Sequence, residues 1–188
     1  MRARMALKYA DIAVEIREII LRDKPIEMLK VSPKATVPVL VLSDGTVIEQ
    51  SLDIMQWALQ QHDTDGWLSA DSKLTQQLIV ENDSSFKQVL DKYKYAIRFP
   101  EQAVETYRAQ GEVFLQTLET LLCKTKYLLS NQINLADIAI FPFIRQFSSV
   151  DAIWFEAASY PKLKIWLKTL IESELFISIM QKQPAYIA

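Results

Sequence analysis

The sequence predicts a small α/β unit followed by an all-helical unit. Two observations carry this. In the first 62 residues short β-branched runs alternate with helix-forming runs. After Leu68 every apolar pattern repeats at helical spacing. The polar stretch Gln60–Trp67, with His-Asp-Thr-Asp-Gly at its centre, separates the two. We therefore expect an α/β domain over residues 1–62 and a helical domain over 63–188.

Each element has a local reason. Residues 1–8 are good helix formers. Ile12, Val14, Ile16, Ile19 and Ile20 put five β-branched side chains into ten residues, which reads as a strand from Ile12 to Leu21. Asp23-Lys24-Pro25 signals a new helix, a capping carboxylate followed by proline in the first turn. That helix runs to about Leu29 and stops before Pro33. Val37–Leu42 reads as a buried strand opened by Pro38. Ser43-Asp44-Gly45 is a turn, and Thr46-Val47-Ile48 returns as the second arm of a hairpin. A helix from Ser51 to about Gln61 turns Leu52, Ile54 or Met55, Ala58 and Leu59 inward.

In the second unit, Leu74, Leu78, Asn82, Phe86, Val89, Tyr93 and Ile97 form one helical stripe, ended by Phe99-Pro100. Val104, Tyr107, Gly111, Phe114, Leu118 and Leu122 form a second, in which Gly111 would admit a neighbouring backbone. A third helix starts at Asn134 and a fourth at Pro161, the latter carrying Leu163, Trp166, Leu167 and Leu170. Trp154, Phe155 and Trp166 read as core.

Composition excludes several function classes. Twenty-one basic and 23 acidic side chains give a net charge of -2, so no basic field points to nucleic acid or an anionic membrane. One cysteine and one histidine are too few for a Cys/His metal site. Three glycines cannot build a dinucleotide or Walker A loop. No apolar run is long enough for a membrane span. A cytoplasmic location is the simplest expectation. Cys123 has no C-x-x-C partner and reads as a buried structural thiol. His62 and Asp63 are adjacent and so point apart, which argues against a catalytic triad. Tyr9 reads as packing.

Three stretches then carry a resemblance. Ser32-Pro33-Lys34-Ala35-Thr36-Val37-Pro38-Val39-Leu40 is similar to an N-P-x-G-K-V-P-x-L segment. Ile48-Glu49-Gln50-Ser51-Leu52-Asp53-Ile54 is similar to a strand-end (E/Q)-S-x-x-I. Asn134-Leu135-Ala136-Asp137 is similar to an S-x-A-D helix start. Together, in this order, they resemble the cytosolic glutathione S-transferase superfamily over nearly the whole chain. The resemblance implies a thioredoxin-like first domain, glutathione as substrate, a small electrophile as co-substrate and no metal. A homodimer would be in keeping with it.

The resemblance also assigns roles. Pro38 would follow a cis bond, and the N–H and C=O of Val37 would pair with the backbone of glutathione's cysteine. Ser51 would cap its helix, whose N–H groups and positive dipole end would hold the γ-glutamyl carboxylate, with Gln50 reaching the same moiety. Asn82 is a candidate cleft-lining residue, because in the family this helix borders the electrophile site. Asn134 and Asp137, at three-residue spacing, form a structural capping pair with Ile133 and Ile138 at the staple positions. Pro142 should kink that helix.

Departures from the pattern matter as well. Thr36 stands for a frequent lysine and Ala35 for glycine, so a cationic contact to glutathione is lost or comes from elsewhere. The family's opening strand and its turn bearing the catalytic Tyr, Ser or Cys have no counterpart in the chain. The expectation is therefore a first domain lacking that strand and turn. No catalytic residue is assigned, and ordinary transferase activity would require a longer native N-terminus. The alternative of a different class is a non-catalytic binding module for a protein partner.

Overall fold

The computed structural model describes residues 1–186. Their contacts group into two compact units, Met1–Thr64 together with the chain from Glu174 onward, and Asp65–Ser173. The expected division at 62/63 differs from this grouping at the linker and in the return of the C-terminal segment to the first unit.

The first unit holds α1 (Arg2–Tyr9), α2 (Ile26–Val31), β1 (Leu40–Val41), β2 (Val47–Ile48) and α3 (Ser51–Gln61). It also holds α10 (Glu174–Ile179), which packs on α1 as α3 does. Its core is Met5, Ala6, Ile54, Met55, Ala58 and Leu59, all buried. The hairpin is antiparallel, with Leu40 opposite Ile48 and Val41 opposite Val47. Gly45 takes φ 87° in the turn, which glycine adopts without steric cost, and Asp44 Oδ1 accepts from the Thr46 N–H at 2.9 Å.

Three local expectations need correction. The strand over Ile12–Leu21 is not formed. The segment contributes only isolated bridges, Glu18 with Ala185 and Ile20 with Asp23. β-Branched composition favours a pleat only where a neighbouring strand takes up the hydrogen bonds. The strand over Val37–Leu42 shrinks to β1, since Pro38 has no N–H to pair. Asp23 does not cap α2, which Pro25 precedes directly and which extends to Val31.

The second unit is helical: α4 (Ser72–Glu81), a π-helical turn (Asn82–Phe86), α5 (Lys87–Lys94), a 3-10 turn (Ala96–Arg98), α6 (Val104–Leu122), α7 (Leu135–Ser148), α8 (Ala152–Ala157) and α9 (Pro161–Ile171). Leu78, Asn82, Phe86 and Tyr93 of the first stripe are buried as expected, across the π turn. Leu90, not Val89, is buried beyond Phe86, and Ile97 at the end of the stripe is 94% exposed. The second stripe holds from Tyr107 to Leu122. Gly111 makes room for a ring rather than a backbone: a Cβ there would lie 2.4 Å from Cε2 of Phe147. Phe147 stacks obliquely against Phe86 and Tyr93, with centroids 5.6 and 4.9 Å away. Leu163, Trp166, Leu167 and Leu170 are buried as expected, and α7 runs through Pro142 to Ser148.

Candidate functional site

The candidate site is the connection from Ser32 to Ser51. The Val37–Pro38 peptide bond is cis. Val37 is 48% exposed. Among the described residues its backbone N–H and C=O have no hydrogen-bond partner. A free donor and acceptor on one exposed residue are what strand addition by an extended peptide requires.

The start of α3 is open in the same sense. Gln50 is extended, at φ -112° and ψ 138°, and occupies the cap position with no side-chain cap bond. Ser51 is therefore the first helical residue and not the cap that the sequence pattern implies. The first N–H with a main-chain acceptor is that of Ile54, bonded to the Gln50 carbonyl at 3.0 Å. The N–H groups of Ser51, Leu52 and Asp53 have no partner among the described residues. Such an end carries partial positive charge and suits an anion.

Three helix starts of the second unit, those of α4, α7 and α9, are closed, whereas α6 has no side-chain cap at Ala103. In α7, Asn134 Oδ1 accepts from Ala136 N–H at 3.0 Å, Asp137 Oδ2 accepts from Asn134 N–H at 2.9 Å, and the Trp67 carbonyl accepts from Leu135 N–H at 2.9 Å. In α9, Glu119 accepts from the N–H groups of Lys162 and Leu163 at 3.1 and 2.7 Å. In α4, Asp71 accepts from Lys73 and Leu74.

The sequence reading missed what fastens the connection. The buried Ser32 donates its hydroxyl to Glu49 Oε1 at 2.6 Å, and Lys34 Nζ donates to Oε2 at 2.9 Å. The two bonds hold the Glu49 carboxyl below its usual range, the Ser32 hydroxyl contributing more than Lys34. They tie the segment leading to Val37 to the residue before Gln50. No local pattern links a serine, a lysine and a glutamate this far apart in the chain. Lys34 is thereby committed to Glu49, two positions before Thr36. Ala35 adopts φ 54°, the left-handed region that glycine would fill without strain.

The other singled-out residues fall elsewhere. Asn82 is fully buried in the π turn. Its Nδ2 donates to Asp83 at 2.7 Å, while Oδ1 is buried without a partner. Cys123 is exposed, which corrects the expectation of a buried thiol; its Sγ lies 4.0 Å from a Glu119 carboxylate oxygen. It follows the end of α6, where the chain leaves the core. His62 Nε2 meets the Thr64 hydroxyl at 2.9 Å, and Asp63 accepts from the Tyr9 hydroxyl at 3.1 Å, so the two neighbours engage different partners. Among the described residues no group of His, Cys, Asp and Glu could hold a metal ion, and no helix is long and apolar enough to cross a membrane.

Asp137 is the most constrained of these groups. Besides the cap bond, its Oδ1 accepts from the Leu128 N–H at 2.9 Å and the Trp166 indole N–H at 2.7 Å. Burial pushes its carboxyl up to about 6 against the pull of these donors. Its role is structural, tying α7 to α9 and to the 128 loop. One polar atom of the capping pair, Asn134 Nδ2, is buried without a partner.

The two-stranded sheet with its helices, followed by a helical unit, defines a thioredoxin-like α/β domain joined to an all-α domain. Comparison with known proteins agrees. The model of the glutathione S-transferase N-terminal domain matches residues 1–66, and that of the C-terminal domain matches residues 74–174. The chain belongs to the glutathione S-transferase family. A probable glutathione S-transferase, parA, from Nicotiana tabacum is 28% identical over 178 residues, covering 93% of this chain and 80% of that protein. The solved structure of BphK, a bacterial glutathione S-transferase, matches with TM-score 0.79 at 21% identity, over 96% of this chain and 92% of its own. The transferase URE2P6 from Phanerochaete chrysosporium, solved with oxidized glutathione, matches with TM-score 0.79 at 18% identity, over 95% and 88%. At these identities the structural likeness is one of fold.

Proposed function

We propose that the chain binds glutathione through Val37, Pro38, Gln50 and Ser51 and serves conjugation or thiol exchange with small electrophiles. The observation that carries this reading is the coincidence of two open backbone sites with the family's motif positions. In it, the N–H and C=O of Val37 pair with the backbone of the cysteinyl residue. The free N–H groups at the start of α3, with the Ser51 hydroxyl, take the γ-glutamyl carboxylate, and the Gln50 amide reaches the same moiety. None of these four side chains ionises, so they hold and orient the tripeptide and a different group must take the thiol proton. The resulting thiolate attacks the electrophilic atom, and the leaving group departs with the electron pair of the broken bond. A cytoplasmic setting, in which glutathione is kept reduced, and the homodimer typical of the family belong to the same reading.

Calorimetric titration with reduced glutathione tests it. Ser51 makes no cap bond, so Ser51→Ala leaves the helix start intact. The variant should bind about tenfold or more weakly, the loss of one hydrogen bond to a charged group. Equal affinity of the two proteins, or no binding by either, would count against the assignment. Absence of binding together with a co-purifying macromolecule would favour the non-catalytic module.

A further inference from the structure

Residues 13–17 are all exposed, and among the described residues their backbone groups have no hydrogen-bond partner. Val14, Ile16 and Ile20 add exposed β-branched side chains. An exposed segment with unpaired backbone groups is a template for another strand. The structure holds one occupant. The chain returns to the first unit through α10, and beyond it Ala185 pairs in parallel with Glu18, the Tyr186 N–H donating to the Glu18 carbonyl at 2.7 Å.

We infer that the segment around residues 16–20 is a strand-addition surface whose occupant is the chain's own C-terminal segment, docked in parallel. One side-chain contact spans the pairing, and a second anchors its Glu18 side. The Arg17 guanidinium lies 5.0 Å from the Tyr186 ring centroid and is itself held by Glu15 at 2.8 and 3.1 Å. The Glu18 carboxylate is fastened to Arg4 of α1. The stacking joins the two segments beside the bridge, and the ion pair fixes the bridge residue Glu18 to α1.

The chemistry of the occupant explains why the ladder is short. Along a strand, the N–H groups that face one neighbour belong to alternate residues. With the Tyr186 N–H turned to Glu18, the next donor toward Ile16 would be that of residue 184, and Pro184 has none. The proline thus ends the pairing after one step and leaves the Ile16 carbonyl open. Pro184→Ala supplies the missing donor and should extend the ladder to Ile16.

This inference stands independently of glutathione binding. Its test is a cross-link in the full chain. In a Cys123→Ser background, Glu18→Cys with Ala185→Cys places two thiols at bridge partners, within disulfide reach. Mild oxidation at low protein concentration should give an intramolecular bond in most molecules. Glu18→Cys with Gln181→Cys, four residues out of register, should not. Absence of the bond in the first pair, equal bonding in both, or bonding only between molecules would overturn the inference, the last by making a second copy the occupant. A second measurement needs no substitution at the bridge. In the unaltered chain the Tyr186 amide should exchange at least about tenfold more slowly than that of Gln183, whose N–H faces away. Pro184→Ala should slow Tyr186 further. Equal, unprotected exchange at both positions would refute the pairing.

Discussion

Replacing Asp137 with alanine should be among the most damaging single changes in the second unit. Three N–H donors, from Asn134, Leu128 and Trp166, would lose their acceptor at buried positions. At about 1–3 kcal/mol for each unpaired donor, the loss is several kcal/mol, a large share of the roughly 5–15 kcal/mol that stabilises a domain. Asp137→Asn retains one oxygen. If it faces Leu128 and Trp166, the amide opposes the Asn134 N–H, donor to donor, at about 1–3 kcal/mol. Urea denaturation followed by circular dichroism measures both. The dependence on pH discriminates further. Burial raises the folded carboxyl from 3.8 to about 6, so the folded state keeps the proton to higher pH than the unfolded one. Wild-type stability from this group is therefore fully present below about pH 4 and falls as pH rises to about 6, by roughly 2–4 kcal/mol at 1.4 kcal/mol per unit. Asparagine does not titrate, so the wild-type advantage over Asp137→Asn should narrow between pH 4 and 7. An advantage that widens over this interval would show that the three donors outweigh desolvation. An alanine variant within about 0.5 kcal/mol of wild type would refute the reasoning altogether.

Two further substitutions probe backbone positions. Gly111→Ala should destabilise by up to about 2 kcal/mol, because the new Cβ overlaps Phe147 and the overpacking cost of about 1–3 kcal/mol is offset by a helix-propensity gain of about 1 kcal/mol. A stabilised variant in the same denaturation assay would mean the ring can move aside. Ala35→Gly relieves the left-handed conformation at φ 54°. Relief of about 1–2 kcal/mol, less the entropy of a freer unfolded chain, leaves a gain of about 0.5–1 kcal/mol, and a net loss would show that Ala35 is not strained there.

What was legible in the sequence was what depends on near neighbours. The hairpin at Asp44-Gly45 and the capping box at Asn134 and Asp137 are each specified within a few residues, and both form as read. The buried faces of α3 and α9 follow from spacing alone. The failures involve distant partners. Residues 12–21 have strand-like composition, but apart from the local bridge of Ile20 with Asp23 the partner they find, Ala185, lies far along the chain. The stripe of α4 and α5 holds at Leu78, Asn82, Phe86 and Tyr93 and fails at Val89, where Leu90 is buried instead, and at Ile97, which falls in the 3-10 turn beyond α5. At the candidate site, the cis bond before Pro38 was legible through a family motif. The Ser32–Glu49–Lys34 fastening was not, because it joins side chains that no periodic pattern relates. Ser51 has the residue type of a cap, but the extended backbone at Gln50 occupies that position.

The most direct measurement is a two-dimensional amide titration with reduced glutathione. If the tripeptide pairs with Val37 and its carboxylate settles on the start of α3, the amides of Val37, Ser51 and Leu52 should shift together along one saturable curve. Those of Ala136 and Leu163, already bonded to protein acceptors, should stay in place. Saturable binding that leaves Val37 and Ser51 unmoved would contradict the assignment of this site.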